Sequence, residues 1–332
     1  MTPTTFRQIL ITAITLLALI YPQLSKAQVD AQFTQYYEVP NYYNPAAIGN
    51  IEYLRLRAGS RLQWVGIDNA PTTIAITADM PFKFLNKRFA AGLIMQQESM
   101  GLYSNMNLGA QLGYKLKLLG GQLGLGIQLG FIDEGFKGSE VYLPDGDDFH
   151  QGSDEAIPTT DLHGTAFDVS AGVFYIHKYF WAGLSGSHLT QPTITLNPEG
   201  TEGGNQDSAY EFQAGRTVYF MAGSNIPIKN TLFEIRPSLM VKSDFTFTTG
   251  ELTGRMRYNK FLTFGLGYRY EDAVSVILGA EYKGFYIGYN YDYPISDISK
   301  ATSGSHEIWA GYQMKLDLGE KNRHKHKSIR IM

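Results

Sequence analysis

The sequence predicts an all-β protein: a transmembrane antiparallel β-barrel of about 14 strands that follows an N-terminal signal peptide. Three observations predict this class. Apolar residues recur at every second position in many segments, those segments are about ten residues long, and Tyr and Phe are abundant, with 22 and 19 copies. A tilted strand of roughly that length crosses a bilayer, and aromatic residues form girdles at the two membrane surfaces.

Residues 1–27 have the pattern of a signal peptide. Arg7 supplies a positive charge, and the apolar stretch 9–20 that follows is too short to span a bilayer as a helix. Ser25 and Ala27 then place small residues at the −3 and −1 positions of a cleavage site. We therefore expect the mature chain to start at Gln28 or close to it. The alternative is an N-terminal membrane anchor, which the short apolar stretch disfavours.

The composition excludes several functional classes. The chain has no Cys, so disulfides and thiolate metal sites are excluded. The formal net charge is −3, which gives no indication of nucleic-acid binding. We predict no cofactor.

The alternation is clearest in the last third of the chain. One face of the segment 262–270 is apolar and the other is small or polar, as expected where side chains alternate between two faces of a strand. The apolar face carries Leu262, Phe264, Leu266, Tyr268 and Tyr270, and the other face carries Thr263, Gly265, Gly267 and Arg269.

Fourteen segments of this kind can be counted, an even number, as in bacterial outer-membrane barrels. They are 52–62, 72–81, 88–98, 104–117, 121–133, 164–176, 179–190, 209–226, 231–243, 245–257, 260–270, 273–282, 284–293 and 305–317.

The lengths of the connections predict the orientation of the barrel. The first, third, fifth, seventh and thirteenth connections are long or irregular, and the even ones are short; the ninth and eleventh are also short and depart from this pattern. Because such barrels have short periplasmic turns and longer external loops, we expect the loops 134–163 and 191–208 outside and both chain ends inside. A tag at Gly284 should then be inaccessible on intact cells, and one near Gly152 accessible.

Four regions follow from this interpretation. They are a signal peptide at 1–27, a periplasmic lead-in or plug at 28–50, the barrel at 51–317 and a basic periplasmic tail at 318–332. Whether the tail is a contact surface or merely disordered is left open.

Several local patterns have a specific order and spacing. The lead-in contains Ala31-Gln32-Phe33-Thr34-Gln35-Tyr36-Tyr37 and then Asn44-Pro45-Ala46-Ala47-Ile48-Gly49. The end of the first strand contains Arg61-Leu62-Gln63-Trp64-Val65-Gly66-Ile67, followed by Ala70-Pro71-Thr72-Thr73. Near the end of the chain stand Tyr291-Asp292-Tyr293 and Ser303-Gly304-Ser305-His306-Glu307-Ile308.

From about residue 30 to 317, these patterns together resemble the PorP/SprF family of outer-membrane proteins in the type IX secretion system. The resemblance implies a barrel that lies in outer-membrane lipid and works with periplasmic ring and lipoprotein components of that machinery. It also implies a role in exporting or anchoring a secreted surface protein such as a gliding adhesin. The residues that it suggests for partner binding are Phe33, Gln35, Tyr36, Asn44, Pro45, Gln63 and Trp64.

Two residue types have a structural explanation as well. Trp64 lies at the outer end of the first strand, where its ring suits a lipid interface, and we favour a girdle or plug residue over a partner contact. Arg55, Arg57 and Arg61 share one face of the first strand. Facing lipid, each would cost about 2–4 kcal/mol at the midplane, so we expect them to face the lumen, with a structural role there.

Enzymatic and metal alternatives find little support. Ser305, His306 and Glu307 are adjacent on a strand, so neighbouring side chains point to opposite faces and cannot form a catalytic pair. The acidic stretch Asp145-Gly146-Asp147-Asp148 lacks the spacing of a calcium loop, and a solvated loop is the better interpretation, although calcium binding there stays open. The competing functions are a transporter of small hydrophobic molecules, similar to 14-stranded fatty-acid channels, and a purely structural barrel.

Overall fold

A computed structural model describes residues 31–141, 158–198 and 210–317. Its 17 strands form one antiparallel sheet. They are β1 (Tyr53–Leu62), β2 (Thr72–Phe84), β3 (Lys87–Met100), β4 (Tyr103–Leu118), β5 (Gly121–Lys137), β6 (Asp161–Ile176), β7 (Phe180–Ser187), β8 (Thr193–Pro198), β9 (Tyr210–Gln213), β10 (Thr217–Ser224), β11 (Ile226–Pro227), β12 (Phe233–Ser243), β13 (Thr248–Tyr258), β14 (Leu262–Arg269), β15 (Ala273–Tyr282), β16 (Phe285–Pro294) and β17 (Ser305–Lys315).

The sheet closes into a 14-stranded barrel, which confirms the predicted fold class. The first and last strands close it, with Tyr53 opposite Lys315 and Leu62 opposite His306. Of the 17 strands, β8, β9 and β11 are short extensions of the wall. Closure gives each of the 14 long strands in the described ranges a neighbour on both sides, which is what allows a sheet to lie in lipid without unpaired backbone groups.

Alternation along each strand separates an apolar outer face from a polar inner face. In β14, Phe264, Leu266 and Tyr268 are exposed on the outside, whereas Arg269 is buried inside. In β13, Leu252 is 61% exposed, whereas its neighbour Glu251 is 1% exposed. The core of the protein therefore lies inside the barrel, and lipid covers the apolar outside.

The ends of the barrel are here called the loop end and the turn end. The loop end is where β1 finishes at Leu62, and the turn end is where β1 begins at Tyr53. The third connection, expected to be long or irregular, is the two-residue turn Gly101-Leu102 at the loop end. It is short because β3 and β4 each continue beyond the segments predicted for them, to Met100 and from Tyr103.

The seventh and eighth strands of the wall are interrupted, although the alternation predicted two continuous strands. Strand β7 ends at Ser187, and β8 resumes at Thr193 and pairs with the start of β6. His188 and Gln191 have φ values of 54° and 47°, which an extended strand cannot accommodate. The partner strand is interrupted at the same level, between Gln213 and Thr217.

The remaining elements are single helical turns. Helix α1 (Pro40–Tyr43) and the 3₁₀ turn Pro45–Ala47 lie ahead of β1, and the 3₁₀ turns Gly138–Glu140 and Asp297–Lys300 lie in connections. In the described ranges, no helix has both the length and the apolar character needed to cross a membrane.

Some predictions fall outside the described residues. These are the signal peptide 1–27, the tail 318–332, the acidic stretch at Asp145–Asp148, the Gly152 tag site, and parts of the loops 134–163 and 191–208.

Candidate functional site

The N-terminal segment, defined here as residues 31–50, runs through the inside of the barrel. At the loop end, Ala31 and Gln32 line a cavity together with Gln63 and Trp64, the two residues that follow β1. At the other extreme, Gly49 donates its backbone N–H to Asp79 Oδ2 at 2.7 Å, and the Asn50 side chain accepts from Lys115 Nζ at 2.6 Å, both close to the turn end. The segment therefore passes from the loop end to the turn end before β1 returns through the wall.

Five buried charged side chains hold the start of the segment; we call them the anchor cluster, and they are Arg61, Glu251, Arg269, Asp292 and Glu307. Arg61 pairs with Asp292 at 2.7 Å and with Glu307 at 3.1 Å. Arg269 pairs with Glu251 at 3.0 Å. Each of these five groups thus has an oppositely charged partner inside the barrel, with two guanidiniums shared among three carboxylates, where an unpaired charge would be costly.

The anchor cluster also binds the backbone of the segment. Glu307 accepts the backbone N–H groups of Thr34 at 2.8 Å and Gln35 at 3.0 Å, one on each carboxylate oxygen. The Thr34 hydroxyl donates to Asp292 at 2.9 Å and accepts from Arg269 at 2.9 Å. Charge-assisted bonds of this kind are about twice as strong as neutral ones, so they fix the register of the segment along the lumen.

Aromatic side chains fill the middle of the lumen. Phe33 packs edge-on against Trp309, with ring centroids 4.9 Å apart, and the guanidinium of Arg255 lies 3.2 Å from the centroid of Tyr37. Burial raises the pKa values of Tyr36, Tyr37 and Tyr43 above the ordinary value of about 10. These tyrosines therefore stay neutral where a free tyrosine would ionise.

The Asn44-Pro45 pair ends the helical turn near the turn end. Asn44 caps the 3₁₀ turn by accepting from the backbone of Ala46 at 2.9 Å, and its amide donates to the carbonyl of Val173 in the wall at 3.0 Å. Lys115 donates to the Ala46 carbonyl at 2.8 Å. The wall residue Gly126 allows this approach, since an added Cβ would overlap the backbone of Pro45 and Ala46.

The comparison with protein families identifies this arrangement. The family model described as type IX secretion system membrane protein PorP/SprF matches residues 25–312. The chain belongs to the PorP/SprF family. A search of curated proteins finds no match.

Solved barrels resemble this PorP/SprF protein in fold. The toluene transporter TbuX of Ralstonia pickettii is 11% identical, with a TM-score of 0.50 over 83% of this chain and 93% of its own. Other similar structures are the toluene transporter TodX of Pseudomonas putida and the translocator domain of the autotransporter NalP of Neisseria meningitidis. TodX is 10% identical, with a TM-score of 0.47 over 86% of this chain and 94% of its own. The NalP domain is 12% identical, with a TM-score of 0.43 over 85% of this chain and 94% of its own.

These findings place the PorP/SprF protein in the outer membrane of a Gram-negative bacterium. It is a type IX secretion system membrane protein, associated with the secretion machinery and with membrane lipid. Its family and fold are those of a secretion or transport barrel.

The three arginines predicted for the lumen all lie on the inner face of β1. Arg55 forms an ion pair with Asp79 at 3.0 Å, and Arg61 belongs to the anchor cluster. Arg57 stacks over the ring of Tyr286, 5.0 Å from its centroid, and lies 3.8 Å from Glu38 of the N-terminal segment. Arg55 thus stabilises the wall itself, whereas Arg57 and Arg61 stabilise the contact between the wall and the N-terminal segment.

The residues suggested for partner binding divide into two groups. Phe33, Gln35, Tyr36, Asn44 and Pro45 are buried in the N-terminal segment, where they contact the barrel wall. Gln63 and Trp64 instead line the loop-end cavity, whose volume is about 670 Å³. Trp64 has a φ of 53° and follows the end of β1, and its place at the lipid interface stays a prediction. Partner binding by all seven remains a prediction.

Sequence reasoning missed most of the anchor cluster. Glu251 and Arg269 stood in predicted strands, and Asp292 and Glu307 stood in the family patterns, but nothing marked them as residues that hold Thr34. The available signal was the alternation itself, since each charged residue falls on the polar face of its strand.

Proposed function

We propose that this PorP/SprF protein works by binding, as a non-enzymatic component that supports secretion or surface anchoring of a partner such as a gliding adhesin. One observation carries the proposal: the N-terminal segment fills the lumen and is tied to the wall along its whole length, from Thr34 to Gly49. A barrel whose lumen holds its own N-terminal segment presents its two ends as binding surfaces.

The two ends have different roles in this proposal. At the loop end, the cavity lined by Gln63 and Trp64 receives a part of the secreted protein, and the long connections hold it. At the turn end, the short turns and the basic residues 318–332 contact periplasmic ring and lipoprotein components of the machinery. The amphipathic ring of Trp64 suits the contact with the secreted protein at the loop end, because the ring is apolar and its N–H can donate a hydrogen bond.

The non-enzymatic part of the proposal is supported at the C-terminal strand. His306 bonds to Tyr289 on the outer face at 2.7 Å, whereas Glu307 belongs to the anchor cluster inside. His306 and Glu307 thus lie on opposite faces of the wall, so the sequence Ser305-His306-Glu307 does not form the hydrolase site that it suggested.

A mild-detergent pull-down from membranes, with mass spectrometry of the captured proteins, tests the proposal. We expect type IX secretion components and one secreted surface protein. Deletion of the gene should remove that surface protein from the cell while leaving general permeability unchanged. Capture of neither class, together with an unaltered cell surface in the deletion strain, would refute the proposal.

The second candidate function is a transporter of small hydrophobic molecules. The fold similarity to the toluene transporter TbuX and the partly apolar loop-end cavity favour it. Uptake of a small hydrophobic solute by liposomes containing the purified protein would support this function over the first.

A further inference from the structure

A second cavity, separate from the loop-end cavity, lies behind the interrupted strands of the wall. It is lined by polar side chains of β3, β4 and β5, by His188 and by the interruption between β9 and β10; the polar residues are Gln96, Glu98, Asn105, Asn107 and Glu134. Its volume of about 20 Å³ is room for one water-sized species.

One carboxylate in this cavity, that of Glu134, forms no ion pair within the part of the chain that the structure describes. Glu134 is 3% exposed, and its side chain has one hydrogen-bond partner within the described ranges, the amide of Asn105. Glu98, which lines the same space, is a second buried carboxylate and accepts from the Thr73 hydroxyl at 3.4 Å. Burying the ionised carboxylate of Glu134 without a cation is expensive, so the cavity favours a positive charge.

Two amides supply further oxygens without other uses. Gln96 is 5% exposed, lines the cavity and makes no side-chain hydrogen bond within the described ranges. Asn107 has its Oδ1 atom shielded from solvent and without a partner there. Nearby, His188 Nδ1 lies 3.2 Å from Asp168 Oδ2, a distance that gives an ion pair when the imidazole is protonated.

We propose that this cavity binds a hard divalent cation, with Ca²⁺ as the best fit. The available ligands are carboxylate and amide oxygens, which Ca²⁺ accepts in flexible geometry, whereas Mg²⁺ demands a near-ideal octahedron. The chain has no thiolate to favour a softer metal. No group of three or more His, Asp or Glu side chains in the described ranges is arranged to hold a metal, so the site depends on the amides as well as on the carboxylates.

The cation would also stabilise the interrupted part of the wall. Its ligands on β3 and β5 lie beside His188 and Gly215, where the seventh and eighth strands of the wall are interrupted. We expect an affinity typical of extracellular calcium modules, with a Kd on the order of 10⁻⁴–10⁻³ M.

The test uses the full-length barrel purified in detergent and stripped with EDTA. Isothermal titration with CaCl₂ and thermal unfolding with and without 10 mM CaCl₂ should show binding and an upward shift of the midpoint. The variant Glu134→Gln should bind Ca²⁺ at least about tenfold more weakly and lose the shift. In EDTA it should unfold at the same or a higher temperature than wild type, since an uncompensated buried charge has been removed.

Two control variants separate this site from other calcium effects. Glu52→Gln, in an exposed pair with Arg88, should keep the wild-type response. A triple Asp-to-Asn variant at 145, 147 and 148 should keep the response that depends on Glu134, even if the acidic stretch binds calcium itself. No binding by the wild type, or equal binding by Glu134→Gln, overturns the proposal.

Discussion

At the scale of single residues, Glu307 joins the last strand of the barrel to the N-terminal segment. It accepts two backbone N–H groups of that segment, the guanidinium of Arg61 at 3.1 Å and the indole N–H of Trp309 at 2.9 Å. These four donors use the full acceptor capacity of the carboxylate, so the loss of any of the four hydrogen bonds would cost stability. Its removal should therefore affect the segment more than the wall.

The variant Glu307→Gln should loosen the N-terminal segment. It leaves Arg61 with one fewer buried partner and replaces an acceptor by an amide, and breaking a buried ion pair typically costs about 3–5 kcal/mol. We expect faster hydrogen exchange in residues 31–50 and a lower urea midpoint in detergent. The control is Glu52→Gln, whose exposed pair with Arg88 should change stability by about 1 kcal/mol or less. Unchanged exchange in the segment would contradict this role of Glu307.

The buried tyrosines give the segment a pH dependence. Burial raises the pKa values of Tyr36, Tyr37 and Tyr43 above the ordinary value of about 10. Below about pH 10 these tyrosines are therefore neutral both in the packed segment and in the segment released from the lumen. Above about pH 10 only the released segment can ionise, so packing in the lumen is progressively lost as pH rises. Tyrosinate absorbance should show late-titrating tyrosines, and exchange in residues 31–50 should increase in the same pH range. Titration of all tyrosines near pH 10 would show that these side chains are not buried.

At the scale of elements, alternation predicted the strands well. The segment 262–270 has its apolar residues outside and Arg269 inside, as its sequence indicated, because lipid and lumen select opposite side chains at successive positions. The interruption of the wall at His188 and Gln191 could not be predicted in the same way. Neither residue is a glycine, so the positive φ values left no mark in the sequence.

Close packing between wall and segment depends on a missing side chain at Gly126. The variant Gly126→Val should displace the turn at Pro45 and Ala46 without altering any hydrogen-bonding side chain. We expect increased proteolysis and hydrogen exchange within residues 31–50, with the barrel still folded by circular dichroism. The matched control is Gly254→Val, since an added Cβ at Gly254 meets no atom within 4 Å. Equal behaviour of the two variants would show that the segment is not held against β5.

At the scale of the whole molecule, the path of the N-terminal segment could not be predicted from the sequence. Thr34 and Glu307 are 273 residues apart, and no local pattern encodes such a contact. Residues 28–50 were predicted to lie on the periplasmic side, whereas Ala31 lines the cavity at the loop end and only the later residues approach the turn end. That division of the chain, and the side of the membrane to which each end belongs, remain predictions.

Cysteine labelling can assign the two ends, because the chain has no Cys of its own. Asp68 is exposed at the loop end, and Lys178 is exposed at the turn end. On intact cells, a membrane-impermeant maleimide should label Asp68→Cys and not Lys178→Cys, and both should react after lysis. This result would place Ala31 near the cell surface. Labelling of Lys178→Cys alone would invert the orientation.

Solute flux through the purified wild-type barrel tests most directly whether this protein binds rather than conducts. In proteoliposomes loaded with a small polar dye, we expect leakage no faster than in empty liposomes, because residues 31–50 occupy the lumen. Gly126→Val serves as the positive control, with faster leakage once the segment is displaced. Rapid leakage through the wild type, equal to that of Gly126→Val, would contradict a lumen closed by its own N-terminal segment.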